Sequence, residues 1–84
     1  MKEQDIVNLG FKIQHETAYN SGSDKDWHYY TLDIGDICLI TNASDQAIKE
    51  GWSISIFDSE TCIIKSILDL KAFINILKSN TINV

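Results

Sequence analysis

Proline is absent from this chain of 84 residues, and so is any long apolar run. Without proline, no strand loses a backbone donor from its ladder of hydrogen bonds. No stretch approaches the roughly 18–20 apolar residues that a membrane-spanning helix needs, and no apolar run follows residues 1–5 as it would in a signal peptide. We therefore expect a cytoplasmic protein without a membrane anchor, in which the two cysteines stay reduced.

Positive charge is scarce in this chain. Seven basic residues, scattered from Lys2 to Lys78, stand against twelve acidic ones, which gives a net charge of −5 and a pI near 4.7. A nucleic-acid-binding surface needs clustered Lys and Arg that replace the counterions of phosphates, so no direct nucleic-acid binding is expected. The acidity leaves one alternative open, an acidic inhibitor that mimics nucleic acid towards a host protein. It would need phosphate-like spacing on one surface of Asp24, Asp26, Asp33, Asp36, Asp45 and Glu50.

The short motifs of common catalytic sites are also missing: no G-x-S-x-G, no H-E-x-x-H, no phosphate-binding glycine loop and no C-x-x-C. His15 and His28 are the only general-base candidates near neutral pH. With Cys38 and Cys62 they would make four zinc ligands, but strand alternation divides them between two faces. We predict a protein that is not an enzyme, with no catalytic residue, cofactor or metal. The alternative is a small hydrolase or metal protein with a pocket around His15 or His28.

The most informative segment runs from residue 27 to residue 41, where two apolar-rich stretches flank Gly35 and Asp36. Glycine tolerates the positive φ that two-residue hairpin turns require. The segment therefore predicts a β-hairpin in which six side chains share one face. They pair across the hairpin as Ile34 with Ile37, Leu32 with Leu39, and Tyr30 with Thr41.

Alternation and helical spacing predict the remaining elements. Strands are expected over 11–17, 52–57 and 62–65, a short helix over 2–8, a helical turn over 44–49 capped by Ser44, and a last helix from Ile67 to Lys78 or Ser79 capped by Ser66. Along the first strand, Phe11, Ile13 and His15 are expected to face inward.

These elements predict an α+β fold. We expect a two-layer domain with an antiparallel sheet of four to five strands, a C-terminal helix packed on one face, and a short N-terminal helix. Residues 1–84 form a single domain, with 80–84 as a frayed tail. The first strand lies either beside the second or at the far edge of the sheet.

The second face of the hairpin is too apolar for an ordinary solvated surface. It carries Trp27, Tyr29 and Ile40, and the strand after the hairpin adds Phe57. One long helix covers only one face of a sheet, so these side chains would form an exposed apolar patch. Such patches mark interaction surfaces, in which Trp and Tyr carry much of the binding energy. The alternative is that the N-terminal helix or the 42–51 connection folds over this face.

The last helix carries a second apolar stripe. Leu68, Ala72 and Ile76 recur at i, i+4 and i+8, roughly opposite the arc that packs on the sheet. Such a stripe is typical of association between helices, either of two copies or with a partner. The alternative is that the 18–26 loop or the tail covers it.

Four segments carry a family pattern: W-x-Y-Y-x-L-x-I-G-D-I-x-L-I-T-N over residues 27–42, G-W-x-I-x-I-F over 51–57, L-x-x-F-I-x-I-L over 70–77, and L-G-F over 9–11. Through these four segments, which span most of the chain, the sequence resembles small uncharacterised bacterial proteins that are often encoded beside prophage or mobile-element genes. That family has no established activity, so the resemblance implies a phage or mobile-element accessory protein and no catalytic residue.

Taken together, these patterns predict a small non-enzymatic protein–protein interaction domain. We expect it to associate with itself, as a homodimer, or to bind an unidentified protein. The expected interface residues are Trp27, Tyr29, Ile40 and Phe57 on the sheet, and Leu68 and Ile76 on the last helix.

Overall fold

The computed structural model describes residues 1–16, 26–59 and 62–81. The elements in these ranges are α1 (Glu3–Asn8), β1 (Lys12–Glu16), β2 (Trp27–Ile34), β3 (Ile37–Thr41), α2 (Ser44–Glu50), β4 (Ile54–Ile56), β5 (Ile63–Ile64) and α3 (Ile67–Asn80). The five strands form one antiparallel sheet in the order β1-β2-β3-β4-β5. The predicted α+β fold is confirmed, and β1, whose place the sequence left open, pairs with β2.

The predicted hairpin is present in the predicted register. Ile34 lies opposite Ile37 and Leu32 opposite Leu39, and Gly35 has a φ of +59°. A Cβ at this position would come within 3.0 Å of the Cγ2 atom of Thr81, just beyond α3. Glycine is therefore favoured here by its backbone conformation, and a Cβ would also require the Thr81 side chain to shift.

The core lies on the sheet face that carries Tyr30, Leu39 and Ile54, which we call the inner face; the opposite side is the outer face. Both α1 and α3 pack on the inner face, because their buried side chains belong to the same cluster as those of the strands. Each such side chain contributes about 1.5–3 kcal/mol when it is fully buried. The cluster consists of Ile6, Phe11, Tyr30, Ile34, Leu39, Ile54, Leu70 and Ile74.

Helix α3 begins as the sequence predicts. The hydroxyl of Ser66 accepts a hydrogen bond from the backbone N–H of Asp69 at 3.5 Å, and the carboxylate of Asp69 lies near the positive end of the helix dipole. The helix ends one or two residues later than predicted, since Asn80 belongs to it and its side-chain amide donates to the carbonyl of Ile76 at 2.7 Å. Of the predicted tail, residues 82–84 lie outside the described residues.

Ile13 and His15 of β1 lie on the inner face, as predicted, but neither side chain is buried. Ile13 lies opposite Tyr30 on the inner face, yet it is 44% exposed, and His15 is exposed as well. The buried cluster draws on β2, β3, β4, α1, α3 and Phe11, but not on β1. An edge strand can therefore show clean alternation without a buried side.

The predicted cap of α2 is also wrong. The N-cap residue is Ala43, and Ser44 is the first residue of the helix. The hydroxyl of Ser44 instead accepts a hydrogen bond from the backbone N–H of His28 at 3.0 Å. This bond ties α2 to the end of the sheet where β2 begins. None of the helices in the described ranges is long and apolar enough to cross a membrane.

Candidate interaction surfaces

Two aromatic rings lie on the outer face at the end of the sheet where β2 begins. Trp27 and Tyr29 are two residues apart on one strand, so both lie on the face opposite Tyr30. Their ring centroids are 5.6 Å apart and their planes are tilted by 36°. Ile40 lies on the same face, opposite Thr31. The structure thus brings together three of the four residues predicted for this surface, each half-buried.

These three side chains line a shallow groove of about 440 Å³, which we call the outer groove. Its other walls come from the ends of β1 and β3 and from the start of α2. Only one of the residues that line it, Glu16, is charged. Apolar side chains with an uncharged polar rim are typical of the centre of a protein interface. The lining residues are Glu16, Trp27, Tyr29, Ile40, Thr41, Asn42, Ala43 and Gln46.

Among the described helices, only α2 comes near this groove. Helix α1 packs on the inner face, so the alternative in which the N-terminal helix covers the outer face is wrong. Ala43 and Gln46 border the groove, and the 42–51 connection therefore forms a rim beside rings that stay half-buried.

Phe57 lies at the other end of the outer face. Its backbone N–H donates to the carbonyl oxygen of Cys38 at 2.8 Å, which places it near the hairpin turn. Its side chain is 56% exposed and does not line the outer groove. The structure therefore separates Phe57 from Trp27 and Tyr29, with Ile40 between the two ends.

The apolar stripe on α3 is present as well. Leu68 is 74% exposed and Ile76 58% exposed, with the exposed Ala72 between them. Leu70 and Ile74 are buried on the other side of the helix. We call Leu68, Ala72 and Ile76 the α3 ridge. The alternative in which residues 18–26 or the tail cover it falls mostly on residues outside the described ranges.

The α3 ridge has one basic flank. Lys71, Asn75 and Lys78 are exposed along it. Residues 65–80 contain three lysines and one aspartate, which gives a net charge of +2. Because the whole chain has a net charge of −5, the other residues together carry −7. The α3 ridge thus belongs to the positive segment of an acidic chain.

A third group of side chains, which we call the Glu3 cluster, joins α1 to the inner face. One oxygen of Glu3, Oε2, lies 2.6 Å from Nε2 of His28 and accepts a hydrogen bond of 2.6 Å from the hydroxyl of Tyr30. The ring of Trp52 stands 6.0 Å from that of His28 and 5.6 Å from that of Tyr30. Alternation puts His28 and Tyr30 on one face, but no sequence pattern connects them to a glutamate 25 residues earlier. Sequence reasoning therefore missed this cluster.

These contacts shift two pKa values. The hydrogen bond from Tyr30, and after it the one from His28, hold the pKa of Glu3 below its usual value. Burial, together with the bond to the Glu3 carboxylate, raises the pKa of Tyr30 to about 12. The lowered pKa keeps Glu3 ionised and the raised pKa keeps Tyr30 protonated. These are the states in which the carboxylate accepts and the phenol donates a hydrogen bond.

The Glu3 cluster borders a cleft of about 340 Å³ between α1, α2 and the sheet. The alternative of a small hydrolase or metal protein predicted a pocket around His15 or His28, and His28 lines this cleft. The ring of His15 is 6.1 Å from that of His28, whereas Cys38 belongs to the outer face. Within residues 1–16, 26–59 and 62–81, no group of three or more His, Cys, Asp or Glu is placed to hold a metal ion. The residues that line the cleft are Glu3, Asp26, His28, Ser44, Ala47, Ile48 and Trp52.

The acidic residues of the mimicry alternative lie at two ends of the sheet. Asp33 lies near the end of β2 and Asp36 in the hairpin turn, whereas Asp26 precedes β2, and Asp45 and Glu50 belong to α2 at the other end. Six residues of β2, 27–32, lie between Asp26 and Asp33, which places these two residues roughly 23 Å apart at the rise of a strand. This arrangement does not favour one continuous phosphate-like surface. Asp24 lies outside the described residues.

Comparison of the chain with protein-family models, with curated proteins and with solved structures finds no match in any of the three. The resemblance to prophage-associated proteins therefore stays a prediction.

Proposed function

We propose that this chain is a small non-enzymatic interaction domain that forms a homodimer through the outer face of its sheet. The observation that carries the proposal is the outer groove, lined by Trp27, Tyr29 and Ile40 on the face opposite both packed helices. Aromatic side chains offer a large contact area and have only two rotatable bonds to immobilise, so they bind at low entropic cost.

The charge of the chain favours a second copy as the occupant of this groove. Two chains with a net charge of −5 repel each other, so they associate with the least cost through a surface that carries few charges. The groove has a single carboxylate, that of Glu16. A basic partner would be attracted more strongly to the acidic surface elsewhere on the molecule.

The simplest homodimer has two-fold symmetry, in which each copy presents the same surface. Trp27 and Tyr29 of one copy then pack into the outer groove of the other. A standard interface buries about 800 Å² per partner, and one aromatic side chain supplies at most about 250 Å². The two rings are therefore not enough, and the interface extends along the outer face through Ile40 towards Phe57.

The test is the mass in solution, measured by light scattering behind size exclusion over a concentration series. We expect a concentration-dependent dimer, and dimerisation at least about tenfold weaker in Trp27→Ser/Tyr29→Ser, which corresponds to about 1.4 kcal/mol. Ile48→Ser is the matched control, because Ile48 is 87% exposed on α2 and lies outside the groove. A monomer at every concentration, or a dimer that the folded double variant keeps, contradicts the proposal.

The proposed setting is the cytoplasm, where Cys38 and Cys62 stay as thiols; both are free cysteines in the structure. The proposed process is that of a phage or mobile-element accessory protein. It is supported only by the resemblance of the sequence pattern.

A small hydrolase is the second candidate, and one contact favours it. The Glu3 carboxylate lies 2.6 Å from Nε2 of His28 beside a cleft. A neutral imidazole that donates through one nitrogen keeps the other as a base. Turnover of an activated ester that is lost in His28→Gln and kept in His15→Gln would support this candidate. The absence of turnover by the unchanged chain would remove it.

A further inference from the structure

We propose that the α3 ridge binds an amphipathic helix of another protein, one with an apolar contact face and carboxylates along one flank. Leu68 and Ile76 are large apolar side chains with more than half of their surface exposed. They belong to the longest helix of the described ranges. The proposed homodimer uses the opposite side of the two-layer domain and leaves this ridge unoccupied.

The shape of the ridge suits a helix. Leu68, Ala72 and Ile76 form a large–small–large row along α3, and the small residue lets the axis of a second helix approach closely. A side chain of the partner then fits over Ala72, between Leu68 and Ile76, as a knob fits a hole. The core residues Leu70 and Ile74 lie on the other side of α3, so binding needs no rearrangement of the core.

The charge beside the ridge defines the chemistry of the partner. Lys71 and Lys78 are exposed on the same flank, in a segment of net charge +2 within a chain of −5. Carboxylates on the facing flank of a partner helix would pair with these lysines. Such pairs contribute more to orientation and to the rate of association than to affinity.

A second copy of this chain fits the ridge less well than a foreign helix. Two ridges packed together would bring the lysines of both copies to the same interface, where like charges repel. If the homodimer forms through the outer face, a second self-interface on the opposite side would also link copies into an open chain that does not close. The symmetry reason rests on the proposed function, whereas the charge reason does not.

An anionic membrane fits less well for a different reason. Lipid headgroups would attract Lys71 and Lys78, but the residues outside 65–80 carry a net charge of −7 and would be repelled. Only two large apolar side chains would enter the bilayer interface, which is little for a membrane-bound helix.

The experiment uses a labelled synthetic helical peptide with Leu and Ala on one face and Glu along one flank, titrated with the full chain and followed by fluorescence anisotropy. A peptide with Lys in place of every Glu is the matched control. We expect the Glu peptide to bind, and to bind at least about tenfold more weakly to Leu68→Ser/Ile76→Ser. The Lys71→Glu/Lys78→Glu variant should lose the Glu peptide and gain the Lys peptide.

Two further variants separate this proposal from the homodimer. Trp27→Ser/Tyr29→Ser should change the mass in solution and leave peptide binding unchanged, and Ile48→Ser should change neither. All substituted side chains on the ridge are exposed, and circular dichroism verifies that each variant is folded.

Several outcomes would overturn the proposal. The proposal is wrong if the Glu peptide does not bind, or if the Lys peptide binds equally well. It is also wrong if Leu68→Ser/Ile76→Ser converts the dimer into a monomer in solution. Binding to phosphatidylserine vesicles that this same variant abolishes would also replace the helix partner by a membrane.

Discussion

Both faces of the sheet carry apolar side chains, but helices cover these side chains on only one of the two faces in the described ranges. On the inner face, α1 and α3 close over the strands, and Leu39 and Ile54 are fully buried. On the outer face, Trp27, Tyr29 and Ile40 stay half-buried around the outer groove, whose rim includes the ends of β1 and β3 and the start of α2. Neighbouring residues on one strand thus serve different purposes. One contributes its burial to folding, and the next leaves apolar surface on the outer face, where we propose that a second copy binds.

Polar contacts also hold the inner face in place. On the inner face, the hydroxyl of Tyr30 donates to Glu3, and its backbone N–H donates to the hydroxyl of Thr41 at 2.9 Å. These bonds fix α1 and the β2–β3 pair in one arrangement. A buried polar group that is bonded in this way specifies one packing.

The largest expected effect separates two neighbours on β3. Leu39→Ala removes a fully buried side chain and should lower the free energy of unfolding by about 2–5 kcal/mol. Ile40→Ala on the outer face should cost less than about 1.5 kcal/mol and should weaken the dimer. Urea unfolding checks both costs when the protein concentration is below the dissociation constant of the dimer, because association adds to the apparent stability. Equal costs for the two variants would mean that the outer face is as buried as the inner one.

Alkaline pH should lower the stability of the fold through Tyr30, and this effect distinguishes Tyr30 from its neighbour Tyr29. The folded state raises the pKa of Tyr30 from 10.0 to about 12, so the folded chain keeps this proton where the unfolded chain loses it. The stability from this shift is complete below about pH 10 and is lost as the pH rises towards 12, in total about 3 kcal/mol.

The variants Tyr30→Phe and Tyr29→Phe test this assignment. Tyr30→Phe should remove the alkaline step from a plot of unfolding free energy against pH, and Tyr29→Phe should keep it. An alkaline step of the same size in both variants would assign it to other groups.

Acid should weaken the attachment of α1 by a smaller amount. The pKa of Glu3 is lowered in the folded state, mainly by the bond from Tyr30, so its contribution is present above its unfolded pKa near 4.5 and is lost as the pH falls through the folded value. The Glu3 side chain is 42% exposed and solvent screens it, so the loss should stay below about 1 kcal/mol. Glu3→Gln should flatten this part of the pH profile; an unchanged acid limb would show that the Glu3 cluster does not hold α1.

Added salt should have the smallest effect on the outer face. The groove has one charged lining residue, so dimerisation should change little, or strengthen slightly, when rising ionic strength screens the repulsion between two acidic chains. Binding of the acidic peptide to the α3 ridge should weaken over the same range. Sedimentation equilibrium and anisotropy in parallel salt series measure the two. A dimer that salt dissociates would indicate an interface built on charge pairs and would exclude the outer groove.

Much of the fold follows from local patterns. Gly35 and the alternation around it predict the hairpin and its register, because both depend on backbone geometry and on neighbours close in sequence. Ser66 and the apolar arc of α3 predict that helix for the same reason. The burial of β1 could not be predicted, since alternation shows that a strand has two sides but not that a helix reaches one of them.

The candidate surfaces divide in the same way. Sequence by itself determined that Trp27, Tyr29 and Ile40 share one face of a strand pair and that Leu68 and Ile76 share one side of a helix, since the periods of strand and helix are local properties. Only the tertiary structure decided that α1 packs on the inner face, that Phe57 lies apart from the rings, and that Glu3 contacts His28 and Tyr30. These facts depend on where distant segments pack, and the free energy of packing is shared among residues that no local pattern connects.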